Sequence, residues 1–409
     1  MLVAVEPSIQ RNLTLGVERP GGVDIHTFKS SQLEDAIAFV AGLDNPTILG
    51  NLGGPGQFVL ARLHAESGLQ TFRVPFHGLR EQVGDAAVNA DVDDRAALLV
   101  TCFQQAPERF YEMLPLDLRI FQAREFARAR LAVQDHRKRA QLQYGAAERD
   151  LKVAFGPAYE TSLAREIFSN PGMIQGAKAD EKALEALIKK CLNRIEIYAL
   201  LRGYPGLPTV KGLGPALGGG LIGEILDIRR FPTPQQLRAY ARYTQGRAGG
   251  IPRRKKGEVA NWSDKLHRPV WLWSTDQAAR YDHVWRAVYD AYKLEELLQH
   301  PDIEIREVTN GQGRQVKLKF YTLGHLNKRA QRRLGSTLLE YVHGLWTAQA
   351  TGQSPIGWYQ ASRWPSFFAT IQRHLDDGGR SQLQGLLALR KGEPADEAED
   401  DDPMGDSSE

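Results

Sequence analysis

LPTVKGLGPALGGGLIGEILDIRRFPTPQQLRAYARY, residues Leu207 to Tyr243, is the stretch on which the reading of the fold turns. Two glycines around one apolar residue, Gly212-Leu213-Gly214, permit a tight turn with positive φ and a close backbone approach. Pro215 suits the first position of a helix, and Ala216 to Ile228 can carry that helix on. The free N–H groups of such a helix start, with the positive end of the helix dipole, suit a phosphate oxygen without reading its base. The stretch therefore reads as a helix-hairpin-helix-like phosphate grip; the alternative is a packing corner between helices.

The surrounding composition fits a nucleic-acid partner. The chain has 409 residues, 42% of them hydrophobic, enough to bury two or three cores. Its formal charge of +3 conceals a division: nine of the 49 acidic residues lie between Glu393 and Glu409, which holds no basic residue. The remainder sets 52 basic against 40 acidic residues, a balance that favours a polyanion, and the acidic tail could compete for the same surface. No apolar run is long enough to span a membrane, and the start lacks the basic-then-apolar order of a signal peptide. Cys102 and Cys191 lack metal-type spacing and read as reduced thiols. A cytoplasmic chain without a membrane partner is expected.

Up to about Pro115 short apolar strands alternate with helical patterns, the mark of an α/β sheet. Asn12 to Glu18 and Val23 to Phe28 read as a strand pair, Gln32 to Leu43 and Gln57 to Ser67 as helices, and Thr47 to Leu49 and Thr71 to Pro75 as further strands. Leu114 to Leu201 reads as two long helices broken near Ser169-Asn170-Pro171-Gly172, an antiparallel hairpin or coiled coil. Beyond the glycine stretch lie Arg247 and the run Arg253-Arg254-Lys255-Lys256, with Trp262, Trp271, Trp273 and Trp285 among further charges. Rings there could stack on bases while cations hold phosphates, although tryptophans at helical spacing also suit a core. A second basic segment places Lys328, Arg329, Arg332 and Arg333 near one helical face.

Candidate chemistry lies at Asp91-Val92-Asp93-Asp94, at the start of a helical pattern. One turn brings Asp91 and Asp94 to one face, where two carboxylates could hold Mg²⁺ against a phosphodiester, or could simply cap the helix.

Four stretches, GEILDIRRFPTPQQLRAYAR, HLNKRAQRRL, DVDDRAALL and LGNLGGPGQFVLARLHAESG, give the chain its resemblance to the DEDD-type insertion-sequence transposases and the related Piv-type DNA invertases. The resemblance covers most of the chain. It implies an α/β RuvC-like (RNase H-like) domain over residues 1–115 and a long helical coiled-coil connector over 116–203. It further implies a mainly α transposase-type domain with a helix-hairpin-helix-like segment over 204–375, followed by a helix end and acidic tail over 376–409. The implied partners are DNA, a structured noncoding RNA in some members, and further copies of the chain as a homo-oligomer.

In that family the first acidic residue ends the first strand, a position that falls on Glu18 of LGVE. With Asp91 and Asp94 it would form the catalytic and Mg²⁺-binding set. The second acidic position, three before the Gly53-Gly54 pair, falls on Gly50, with Asn51 beside it. The nucleophilic serine falls on Ala248 of Arg247-Ala248-Gly249-Gly250, and alanine has no hydroxyl to attack phosphorus. Thr244 and Ser263 are the neighbouring hydroxyls, each simpler to read as structural. Two expectations follow: a transposase or site-specific recombinase performing metal-dependent strand exchange, or a catalytically inactive descendant that binds nucleic acid through Gly212, Gly214 and the basic segments.

Overall fold

The computed structural model describes residues 1–7, 12–52, 57–84, 91–161, 165, 171–244, 262–277, 280, 283–309 and 315–390. These form two compact units, Met1–Tyr198 with Gly214–Pro232, and Ala199–Leu213 with the chain from Thr233 onward. The helices expected as a separate connector thus fall in the same unit as the sheet, and the chain returns to that unit at Gly214.

In the first unit, Leu2–Pro7 (β1), Leu13–Arg19 (β2) and Gly22–Phe28 (β3) lead into helix α1 (Leu33–Ala41). Thr47–Leu52 (β4), helix α2 (Gln57–Ser67), Thr71–Pro75 (β5), helix α3 (Phe76–Val83), helix α4 (Val92–Gln105) and Tyr111–Glu112 (β6) follow. The strands form one mixed sheet in the order β3-β2-β1-β4-β5-β6. β1, β4 and β5 run parallel, while β2 is antiparallel to both β1 and β3. Alternation decides the layers. Val3, Val5 and Ile48 join β2 residues Leu13, Leu15 and Val17 in one core with Val40 of α1 and Leu60 of α2. Ala4, Leu49 and Val74 point the other way, onto Leu79 of α3 and Ala96, Leu99 and Val100 of α4. β1, unread in the sequence, is the centre of this three-layer domain.

The long helical pair is present. α5 (Asp117–Phe155) runs for 39 residues to Gly156, whose positive φ of 53° stops it, and α6 (Gly172–Leu192) packs back along it. Arg130 pairs with Glu185 at 3.4 Å, Arg137 pairs with Glu181, and Gln122 faces Cys191, so the partner's number falls as that of α5 rises. The pair is antiparallel.

After α7 (Glu196–Gly203), the glycine stretch forms α8 (Pro215–Ile225), in which every residue from Gly218 to Ile225 is buried. A Cβ on Gly219 would lie 2.6 Å from Ile188 of α6, and one on Gly223 would lie 2.7 Å from the Cα of Arg124 in α5. These glycines let α8 press into the α5/α6 pair. Arg128 adds a two-pronged pair to Glu224 at 2.6 and 2.9 Å. At the root of the same layer the buried Arg73 of β5 donates to Asp117 at 2.7 Å and to Asp227 at 3.2 Å.

The second unit is mainly helical: α9 (Pro234–Tyr240), α10 (Asp264–Leu272), α11 (Val284–Gln299), α12 (Leu323–Ala350), α13 (Pro355–Ala361), α14 (Trp364–His374) and α15 (Arg380–Leu389). A hairpin of β7 (Glu304–Thr309) and β8 (Gln315–Phe320) stands between α11 and α12 in sequence. Trp285 is the hub of its aromatic core, edge-on to Trp273 at 5.5 Å, Tyr341 at 5.4 Å and Phe368 at 5.3 Å. Trp273 and Trp285 are wholly buried and are unavailable for stacking on bases. No helix among the described residues is long and apolar enough to cross a membrane.

Gly223→Leu, which drives a side chain into the α5 backbone, should destabilise the first unit by about 1–3 kcal/mol or more. Gly214→Ala, whose Cβ meets nothing within 4 Å, loses only cap preference and should cost about 0.5–1 kcal/mol; urea denaturation compares the two. Arg73→Met leaves two carboxylates buried together and should cost about 3–5 kcal/mol in the same measurement.

Candidate functional site

The parallel strands β1 and β4 end side by side, with Val5 level with Gly50. The next residues, Glu6 and Asn51, therefore point to the α4 face, and Asn51 donates its side-chain amide to Glu6. Thr14 of β2 stands opposite Glu6 in the register, and its hydroxyl reaches Asp93 at 3.4 Å. Arg95, in the first turn of α4, brings its Nε to 3.7 Å from Glu6. The start of α4 thus lies over the ends of the central strands, and Glu6, Asn51, Arg95, Asp93 and Thr14 form one polar corner.

Glu6 stands one residue before the end of β1 and is the residue the sequence reading missed. It is 4% exposed, and burial pushes its carboxyl up to about 7 against the opposing pull of Arg95 and Asn51. Glu18 stands elsewhere. It lies beyond Val17, the register partner of Val3, so it is level with the beginning of β1, roughly 13 Å along the strand from Glu6 at the usual rise. Its carboxylate accepts from Leu2 N at 3.0 Å and from Gln104 at the far end of α4. Asp91 and Asp94 are at the near end, about 15–20 Å away along the helix, so the fold does not gather Glu18 with them. The expected set fails because the first strand of the sheet is β1, and LGVE belongs to the second.

Asp91 is the N-cap of α4, accepting from Asp94 N at 2.8 Å. The second acidic position also shifts. Gly50 faces the opposite layer, where a Cβ would lie 2.3 Å from Leu60, and the residue beside Glu6 is Asn51. The donor set at this corner suits Mg²⁺ poorly: one carboxyl is held near neutrality, an amide is committed to it, and a guanidinium stands where a second anion is needed. Among the described residues, no three His, Cys, Asp or Glu side chains gather as a group that could hold a metal ion.

The basic positions fare unevenly. Arg247, Ala248, Arg253, Arg254, Lys255 and Lys256 lie outside the described residues. On α12, Arg329 pairs with the buried Glu296 at 2.5 Å, and Arg333 pairs with Glu295 at 2.6 Å while lying over the ring of Tyr292. Burial depresses the Arg332 guanidinium. α11 thus neutralises Arg329 and Arg333, Arg332 is half-buried with Tyr243 and Arg242 acting on it, and Lys328 is exposed. Gly212 takes the positive φ expected of it, 81°, whereas Gly214 is an extended N-cap at −69°. Ser263 caps α10 by accepting from Leu266 N at 3.2 Å, a structural use of its hydroxyl.

Because the Glu6 carboxyl titrates near 7 in the fold and near 4.5 when unfolded, the folded chain holds an extra proton between those values. Wild-type stability should fall as pH rises through that window, by up to about 3 kcal/mol, and level off above it. Glu6→Gln, which keeps an acceptor for Asn51, should lack this component; urea denaturation of both proteins at pH 5 and pH 8 measures the difference.

Protein-family models and curated proteins were compared with the sequence, and none matches it.

Proposed function

We propose that this chain is a nucleic-acid-binding protein built on the architecture of a DEDD-type transposase, without that family's strand-transfer chemistry. The observation that carries this reading is the polar corner at Glu6. A carboxylate stands one residue before the end of the first strand, and an acid-bearing helix starts above it, as a RuvC-like site requires. Its immediate companions are Asn51 and Arg95 in place of further carboxylates. A fixed guanidinium does the neutralising there, which leaves a corner suited to holding the sheet together rather than to polarising a phosphodiester.

Further support comes from the mixed sheet with its central parallel strands, the antiparallel pair α5/α6, and the absence of a hydroxyl at Ala248. The polyanion partner is supported by the basic excess outside the acidic tail and by the Arg253-Arg254-Lys255-Lys256 run. DNA and structured RNA both fit, and assembly into a homo-oligomer is part of this proposal.

The purified chain should bind labelled DNA or structured RNA with an affinity that falls by at least about tenfold between 50 and 200 mM salt. Neutralising residues 253 to 256 together should weaken binding, and Mg²⁺ or Mn²⁺ should produce no cleavage. Metal-dependent cleavage that is abolished by Asp91→Ala would instead establish an active nuclease or recombinase, and binding indifferent to salt would remove the nucleic-acid reading.

A further inference from the structure

β7 and β8 form a sheet of two strands, so each keeps one edge without a ladder partner among the described residues. The two edges differ. β8 carries Lys317 and Lys319 at alternate positions, both exposed, and lysines so placed are a common guard of an open edge. β7 runs Glu304-Ile305-Arg306-Glu307 with all four residues exposed, and its Ile305 is a large apolar side chain 63% exposed. Strand alternation puts Glu304 and Arg306 on one face and Ile305 on the other. The two charged groups pair at 2.6 Å, and Arg306 lies over the ring of Phe320, which stands opposite Glu304 on β8.

We infer that the β7 edge pairs with the β7 edge of a second copy of this chain, antiparallel about a twofold axis at Ile305, to give one four-stranded sheet. In that register Ile305 stands opposite its counterpart, and Glu304 of each copy stands opposite Arg306 of the other. The two in-strand pairs then close into a ring of four alternating charges on one face, while the two isoleucines cover each other on the opposite face. Charge fixes the centre of the pairing. Moving it by one residue brings Glu304 onto Glu304 or Arg306 onto Arg306. The same pairing made on β8 sets Lys317 against Lys319 about Leu318, and either lysine against itself one residue away. An edge six residues long is a small interface, so the association it drives is weak and concentration-dependent. This inference rests on the homo-oligomer part of the reading above and gives it a surface that needs no nucleic acid.

Sedimentation velocity of the full chain, freed of nucleic acid and followed across the micromolar range, measures the association. Glu304→Arg and Arg306→Glu should each weaken it by about tenfold, since each turns two attractive pairs into repulsive ones. Mixed in equal amounts, these two variants should associate about as well as wild type, because each copy then supplies the charge the other lacks. Ile305→Lys should weaken association by at least as much, and its unchanged urea midpoint would show the fold intact. If the charge reversals weaken association and the mixture does not restore it, the pairing is overturned. Association that neither Ile305→Lys nor the reversals change overturns the β7 edge alone and leaves the homo-oligomer to another surface. A chain that stays monomeric throughout removes the edge and the homo-oligomer together, while the nucleic-acid reading is decided separately by its salt-dependent binding.

Discussion

The buried guanidinium of Arg73 ties together three parts of the first unit that are far apart in sequence. It sits on β5 and donates to Asp117, which opens α5, and to Asp227, which follows α8. Arg229 adds a second cation to Asp227 at 2.8 Å and donates to the Glu112 carbonyl at 2.7 Å. Burial, helped by the like charge of Asp227, drives the Asp117 carboxyl upward, and Arg73 opposes that shift. Each charge in the group is tolerable because the others are present, so the geometry is strongly specified even where its net contribution to stability is modest. The consequence is directional: α5 leaves the sheet at a fixed place, and the segment after α8 is brought back to the same place.

With both ends so held, α8 must lie close against α5 and α6, and the glycines of LGGGLIG become a steric necessity. Gly223 meets the α5 backbone and Gly219 meets Ile188, while Leu221, Ile222 and Ile225 are buried. Each such buried side chain contributes about 1.5–3 kcal/mol. Of the two meanings open to the glycine-rich stretch, packing therefore accounts for its helical part. A phosphate grip could involve only the first turn, where Gly214 to Leu217 remain partly open.

Much of this was legible. Periodicity placed α2 and β5 at their observed bounds, found the β2/β3 pair, and separated the two long helices near Pro171. The errors share a physical origin in pairings distant along the chain. LVAVEP is a short apolar run ending in proline, and nothing local marks it as the central strand; its neighbours β2 and β4 do that. Missing it made LGVE, and with it Glu18, read as the end of the first strand, where the first strand carries Glu6. The pleat explains the next displacement, since counting back from Gly53-Gly54 reached Gly50, while the two-residue alternation turns Asn51 toward Glu6. A carboxylate directly after Leu2-Val3-Ala4-Val5 was the available signal. The partners of the basic face of α12 were hidden for a similar reason: Glu295 and Glu296 neutralise Arg329 and Arg333 from α11, more than thirty residues earlier.

The residues at the β1/β4 corner make sense as one set. A corner with several carboxylates is unstable without a divalent cation, because like charges at close range repel and cannot all stay ionised. Asn51 beside Glu6 carries no charge, so the buried carboxyl between the strand ends is that of Glu6, and one guanidinium can balance it. Arg95 supplies it from the first turn of α4, whose N-terminal dipole and Asp91 cap already fix that turn. Burial then lifts Glu6 toward neutrality and reduces even that requirement. The corner can thus remain closed with no ion, and the sheet and α4 stay in register through protein groups alone.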